Sequence, residues 1–395
     1  MKYNFDKVIN RKNTDCYKWD TTKDGVIPMW VADMDFEVAK PIVDSIIKRA
    51  KHPVFGYTMV PNEYFEAEIS WWKKRFNYEI KKEHIIPTVG VIPSLSAIIQ
   101  TFCQKDDKIL IQSPVYHYFN IVIQNNDCKV ITNNLIYKDA KYEIDFVDFE
   151  EKLKNDRPKL FILSNPHNPV GKIFSKNELK KMGELCLKYD VLVISDEIHR
   201  DLVFKDYIFT PFASICEEFL QNSISCTSAT KTFNLAGLKA SNIVAANKDL
   251  RVKLDKTLSK NEMKGVNIFG IYSLISAYEE CEDWLFELLI YLEKNKNFLE
   301  DFIAKNIPNL KVVKAEATYL LWIDISNLGI NSKEFTKKLE ELGNVRVISG
   351  VTFGENGDNF IRVNIATPLE ILKEALEGIK RVVESLSYKT DTKQT

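Results

Sequence analysis

No apolar run in this sequence approaches the length of a membrane-spanning helix, and its start, Met1-Lys2-Tyr3-Asn4-Phe5-Asp6, has no apolar signal core. A spanning helix needs about 20 mostly apolar residues, so neither a membrane protein nor an exported one is expected. An excess of one charge is also missing. Lys and Arg number 54 against 55 Asp and Glu, and no strongly basic run stands out, which argues against nucleic acid as the main partner. The seven cysteines are scattered, odd in number and without a C-x-x-C pair. They read as reduced thiols of a cytoplasmic protein, forming neither a disulfide frame nor a zinc site. None of the five histidines has a ligand spacing to another, so no metal is expected. There is no internal repeat and no low-complexity stretch; residues 389–395 alone read as a frayed polar tail.

What the chain does have is length and alternation. At 395 residues it is too long for one simple core, so a large domain with a smaller one is expected. Short apolar runs at 108–111, 160–163 and 191–194 read as buried strands that end in polar or turn residues. Residues 176–189 carry apolar side chains at helical spacing, with Ser175 as N-cap. Strand, helix and strand in this order imply crossover units and a mostly parallel sheet, with ligands gathered at the carboxyl ends of the strands. After about Glu280 the pattern changes to a long charged helix, a strand at 319–324, a helix at 332–342, a strand at 360–365 and a closing helix. The expected fold is therefore α/β: a large domain over 51–285 with a mostly parallel mixed sheet flanked by helices. A smaller α+β domain would combine an N-terminal segment, 1–50, with 286–395.

Chemistry enters with Ser228-Ala229-Thr230-Lys231-Thr232-Phe233-Asn234-Leu235-Ala236-Gly237-Leu238-Lys239. A lysine after a hydroxyl-rich turn, with a second cation eight residues on, suits a Schiff-base cofactor that carries a phosphate. The amine condenses with an aldehyde, while hydroxyls, backbone N–H groups and the cation hold the anion. Upstream lie Asn165-Pro166-His167-Asn168-Pro169-Val170-Gly171 and Ser195-Asp196-Glu197-Ile198-His199-Arg200. Taken singly, a lysine is usually a surface charge, Asp-Glu a helix cap and Asn-Pro a tight turn. In this order the three strings resemble the fold-type I pyridoxal-phosphate (PLP) enzymes, the aspartate-aminotransferase-like superfamily.

The resemblance implies roles, each with its own physical reason. Lys231 carries PLP and serves as base. Asp196, at a strand end, keeps the pyridine nitrogen protonated so that the ring can act as an electron sink. His199 and the Asn168 amide address the ring's phenolic oxygen. Gly90, Val91 and Ile92 open a helix and form a phosphate cup with Ser228 and Lys239. Tyr116 stacks on the ring. Arg362, interrupting an apolar strand, grips the substrate α-carboxylate beside Asn168 and Ala32.

Two further strings, Trp30-Val31-Ala32-Asp33-Met34-Asp35-Phe36 and Phe55-Gly56-Tyr57, narrow the likeness to the cystathionine β-lyase and cystalysin-type carbon–sulfur lyases, over nearly the whole chain. That branch implies β-elimination from S-substituted cysteines. It also implies a homodimer in which Tyr57 reaches the partner's phosphate. An aminotransferase uses the same parts and is the alternative. A third reading is a PLP-binding sensor or regulatory module without turnover; regulators of the superfamily usually carry a fused DNA-binding domain, and because the likeness starts near Phe5 none is expected here.

Overall fold

The computed structural model describes residues 2–391. Seven strands form the main sheet: β1 (Ile85–Thr88), β2 (Lys108–Ser113), β3 (Lys129–Asn134), β4 (Leu160–Ser164), β5 (Leu192–Asp196), β6 (Ser223–Thr227) and β7 (Ser241–Val244). Their order is β1-β7-β6-β5-β4-β2-β3. Pairs β6–β5, β5–β4, β4–β2 and β2–β3 are parallel, whereas β7 is antiparallel to both β1 and β6. The sheet is thus mixed and mostly parallel, as the alternation implied.

The central strands β4 and β6 are buried at every position. Helices cover both faces, so β4 reads as a continuous apolar run (Leu160-Phe161-Ile162-Leu163), whereas β6, equally buried, alternates hydroxyls with apolar side chains (Ser223-Ile224-Ser225-Cys226-Thr227). Each fully buried Leu, Ile or Phe there contributes about 1.5–3 kcal/mol, which fixes the register of the polar residues that follow. The expected strands run one or two residues past the apolar stretch, because Ser113, Ser164 and Asp196 still pair although they are polar. Helix α1 spans Val91–Phe102. Helix α2 spans Lys176–Lys188, and the Ser175 hydroxyl accepts from the Glu178 N–H while Glu178 answers the Ser175 N–H, a capping box.

A second, antiparallel sheet follows the long helix Glu282–Asn306. Its strands are β8 (Lys311–Val312), β9 (Leu320–Asp324), β10 (Ile348–Ser349) and β11 (Phe360–Asn364), in the order β8-β9-β11-β10. The helix expected at 332–342 is α-helical only over Ser332–Lys338; a wider π turn, Leu339–Gly343, completes it. The closing helix, Leu369–Asp391, takes in residues 389–391, which the sequence reading placed in a frayed tail; 392–395 lie outside the described residues. The N-terminal stretch joins this end of the molecule: Ile27–Pro28 pairs in parallel with Val345–Arg346, and the Asn364 N–H donates to the Met29 carbonyl. That docking carries residues 30–36 across the carboxyl edge of the main sheet.

Candidate active site

Five parallel-running strands deliver their carboxyl ends to one cavity of about 550 Å³. At its first wall, β1 ends at Thr88 and the chain turns through Gly90, whose φ of +140° is rarely open to a side-chain-bearing residue. A chain of hydroxyls braces this turn. Thr88 Oγ1 lies 2.8 Å from Ser94 Oγ and 2.7 Å from Ser241 Oγ, and the Gly90 N–H donates to Ser241 Oγ at 2.9 Å. Gly90 therefore contributes close approach rather than a donor to the cup. The first-turn N–H groups of Val91 and Ile92 have no intrahelical acceptor, and both residues line the cavity. Pro93 follows at the third helical position, where its missing N–H costs nothing.

Facing the cup, the segment after β6 supplies Thr230, Lys231 and, beyond the short turn Ala236–Leu238, Lys239. Here the geometry corrects one expectation. The Ser228 hydroxyl donates to the Ala240 carbonyl (2.7 Å) and bonds both the Thr230 hydroxyl and N–H, so it braces the turn instead of opening into the cavity. Thr230 is the hydroxyl-bearing residue that lines the space.

The floor carries the titratable groups. Asp196 sits between Ser164 and Cys226 in the sheet register, and its carboxyl accepts the Ile198 N–H at 3.1 Å. Burial pushes its carboxyl up to about 7, against the pull of that N–H and of Lys231. His199 lies on the following turn, fully enclosed, its Nδ1 without a partner; burial, Lys231 and Arg362 hold it down to about 3, hence neutral. Burial, seconded by Arg362, brings the Lys231 amine down to about 8, although Asp33 and Asp196 favour its charge. Tyr116, after β2, lines the cavity between these groups and the cup, and burial raises its phenol to about 12.

The last wall comes from the second sheet. Arg362 of β11 donates to Asn168 Oδ1 and to the Trp30 carbonyl, both at 3.0 Å, while its buried Nε has no partner. The guanidinium lies 4.8 Å from the Phe353 ring centroid, and burial lowers it to about 10. Ala32 and Asn168 line the cavity. Gly171, with φ of +70°, closes the Asn-Pro loop against the second sheet's lead-in, where a Cβ would come within 3.2 Å of the Ala317 carbonyl oxygen.

An anion cup, an amine and a buried acid line one space, and the Arg362 guanidinium stands behind its Asn168 wall. A scan against family models matches residues 25–379 to the aminotransferase class I and II family. The chain belongs to that family. It is 38% identical to the cystathionine β-lyase PatB of Bacillus subtilis, over 95% of this chain and 99% of that protein. Among solved structures, PLP-containing cystalysin from Treponema denticola superposes with a TM-score of 0.95 at 33% identity, covering 98% of this chain and all of the other. The PLP-bound C-S lyase of Staphylococcus hominis gives 0.91 at 35% identity, covering 96% of this chain and 99% of the other.

Most of the residues singled out by sequence line this cavity or touch one that does. Tyr57 is the exception. It is fully exposed on an extended arm beside exposed Val54, Phe55 and Met59, away from its own chain's cavity. The sequence reading also missed two residues. The Tyr319 hydroxyl donates to the Ala32 carbonyl, and the Asn364 amide donates to the carbonyls of Val31 and Asp33. Asn364 had a signal, since it lies two residues from Arg362 and so shares its face of the strand; Tyr319 had none.

Proposed function

We propose that this family member uses PLP to perform β-elimination on cystathionine or other S-substituted cysteines, giving a thiol, pyruvate and ammonia. The observation that carries the reading is the full-length likeness to proteins named as cystathionine β-lyase and C-S lyase, laid over a cavity lined by an amine and a buried acid with a guanidinium behind its Asn168 wall.

The residues present fit the cofactor. The Asp196 carboxyl, raised to about 7 by burial, has no cation in contact among the described residues, and a protonated ring nitrogen facing it would provide one. Val91, Ile92, Thr230 and Lys239 would hold the phosphate, Tyr116 the ring face, and Asn168 with His199 the ring oxygen. When bound, PLP supplies an aldehyde for the amino group and a sink for charge left at Cα. The protein's own tasks are then positional and protolytic. Arg362 binds the α-carboxylate in place of the Trp30 carbonyl. Lys231, poised near 8, takes the Cα proton. The Cβ–S bond breaks, the thiolate leaves and is protonated, and water converts the released enamine to pyruvate and ammonium. No arginine is among the described residues that line the cavity, and Arg362, held on Asn168, is reserved for the α-carboxylate, which favours a neutral or zwitterionic thioether arm over an acidic side chain.

The same reading takes 51–285 as the cofactor domain, with 1–50 and 286–395 forming the smaller one, and the protein as a cytoplasmic homodimer. In that dimer the arm bearing Tyr57 would meet the partner's phosphate, which accounts for four exposed apolar side chains within six residues. No helix among the described residues is long and apolar enough to cross a membrane.

Purified protein incubated with cystathionine tests the reaction. Pyruvate and thiol should appear one for one without any added keto acid. Turnover only in the presence of a keto acid, with no pyruvate from any thioether amino acid, would make the protein an aminotransferase.

A further inference from the structure

The backbone of residues 30–34 is held by side chains along its whole length. Arg362 donates to the Trp30 carbonyl, Asn364 to those of Val31 and Asp33, and Asn234 and Arg11 to that of Met34. In the middle, the Ala32 carbonyl accepts two donors: Lys231 Nζ at 2.6 Å and the Tyr319 hydroxyl at 3.0 Å. With both neighbouring carbonyls on Asn364 Nδ2, at 2.6 and 2.7 Å, the Ala32 peptide cannot turn away by itself.

Tyr319 and Asn364 work from one place. Leu320 is the register partner of Asn364, and the Ile365 N–H donates to the Tyr319 carbonyl. The chain enters Tyr319 through Thr318, whose φ of +72° is strained for a β-branched residue. Such a conformation persists only where the surroundings over-determine it. Here the Thr318 N–H donates to the Leu202 carbonyl at 2.6 Å, and its hydroxyl accepts the Leu320 N–H at 3.1 Å. The ring of Tyr319 stands edge-on to His199, 6.3 Å between centroids. A buried phenol needs a partner, and this one shares the acceptor of the reactive amine.

We propose that Tyr319 is a positioning residue for Lys231: with Asn364 it fixes the Ala32 carbonyl as the acceptor that holds the lysine amine whenever that amine is not bonded to the cofactor. The proposal rests on Lys231 being the cofactor lysine. Such a carbonyl gives the amine one place to return to, from which it can act on Cα. Because it already accepts from a hydroxyl, it stabilises an ammonium less than an unshared carbonyl would. The hydroxyl therefore favours the neutral, reactive amine. Around Lys231, Asp33 on the N-terminal strap and Asp196 at the end of β5 favour the charged form, while burial and Arg362 on β11 oppose it. Neutral His199 and the un-ionised Tyr116 and Tyr319 complete the surroundings, and Tyr319 adds to the opposing side.

Tyr319→Phe removes only the hydroxyl, and Asn364→Ser shortens the second clamp. For each variant and wild type, borohydride reduction and peptide mapping first identify the lysine that carries PLP. Two rates follow: bonding of PLP to the cofactor-free protein across pH, and exchange of the Cα proton of alanine for deuterium in the loaded protein. Tyr319→Phe should move the pH midpoint of bonding upward and slow exchange roughly tenfold, at a near wild-type melting temperature and with KM for a thioether substrate little changed. Asn364→Ser should slow exchange in the same sense. Wild-type midpoints and exchange rates in both variants, with PLP on Lys231, would overturn the proposal. PLP on another lysine would overturn the reading of the site and the proposal together.

Discussion

The two walls of the cavity are built by opposite means. The wall of the main sheet uses strand ends: its groups close a parallel-running strand or lie in the segment that follows one, and the helix start offers backbone N–H groups outward. The wall of the second sheet works the other way round, with side chains of Arg362, Asn364 and Tyr319 reaching inward to seize the backbone carbonyls of residues 30–33. The first wall is rigid because its strands are buried in a continuous sheet. The second depends on a strap docked by hydrogen bonds, so the substrate carboxylate and the lysine have acceptors that can be exchanged. Chemistry that needs a fixed cofactor and a movable amine is served by this division.

Substitutions on the two walls should fail differently. Lys231→Ala, where the walls meet, has the largest effect: the protein should still bind PLP non-covalently but lose nearly all turnover, checked by kcat with cystathionine. Asp196→Asn on the first wall should lower kcat roughly 100- to 1,000-fold with KM little changed, because a preorganised charge opposite the developing one is lost. Arg362→Ala on the second wall should act mainly on KM. Losing a buried charge partner costs about 2–5 kcal/mol, so kcat/KM should fall at least about thirtyfold for every thioether substrate alike. A KM effect at Asp196, or a pure kcat effect at Arg362, would break the comparison.

The smallest effect is one of stability in the cofactor-free protein. Burial raises the Asp196 carboxyl from its ordinary 3.8 to about 7. The folded state therefore keeps a proton that the unfolded chain has released. Below the ordinary value there is no penalty; as pH rises through about 7, the penalty of a buried carboxylate becomes complete. Asp196→Asn removes it, so the variant should melt above wild type at about pH 8, with a smaller gain at about pH 5, the difference reaching at most about 3 kcal/mol. Melting curves at the two pH values check the sign.

The same contrast explains what the sequence discloses. Lys231, Asp196, Asn168 and the Gly90 turn are legible because a strand, a turn and a reactive side chain are local and adjacent. The parallel core of the sheet is legible for the same reason, since β2, β4 and β5 leave short apolar runs, whereas β6, buried throughout but rich in hydroxyls, leaves none. The second wall is a product of distance: Trp30, Tyr319 and Arg362 meet only after the N-terminal strap docks on the second sheet, and the Ala32 carbonyl, a backbone group, leaves no mark in the sequence. Ser228 shows the converse limit. Residue type placed a hydroxyl beside the lysine, but not the direction in which it points, which the Ala240 carbonyl decides. The π turn at Leu339–Gly343 was likewise unreadable, because helical spacing does not distinguish a wide last turn from a regular one.

The claim beneath all of this is that both walls address one lysine. Borohydride reduction of the PLP-loaded protein, followed by digestion and mass mapping, tests it in one step. The account predicts a single phosphopyridoxyl group, on the peptide containing Lys231; a label on Lys239 or any other lysine, or no reducible bond at all, would contradict it.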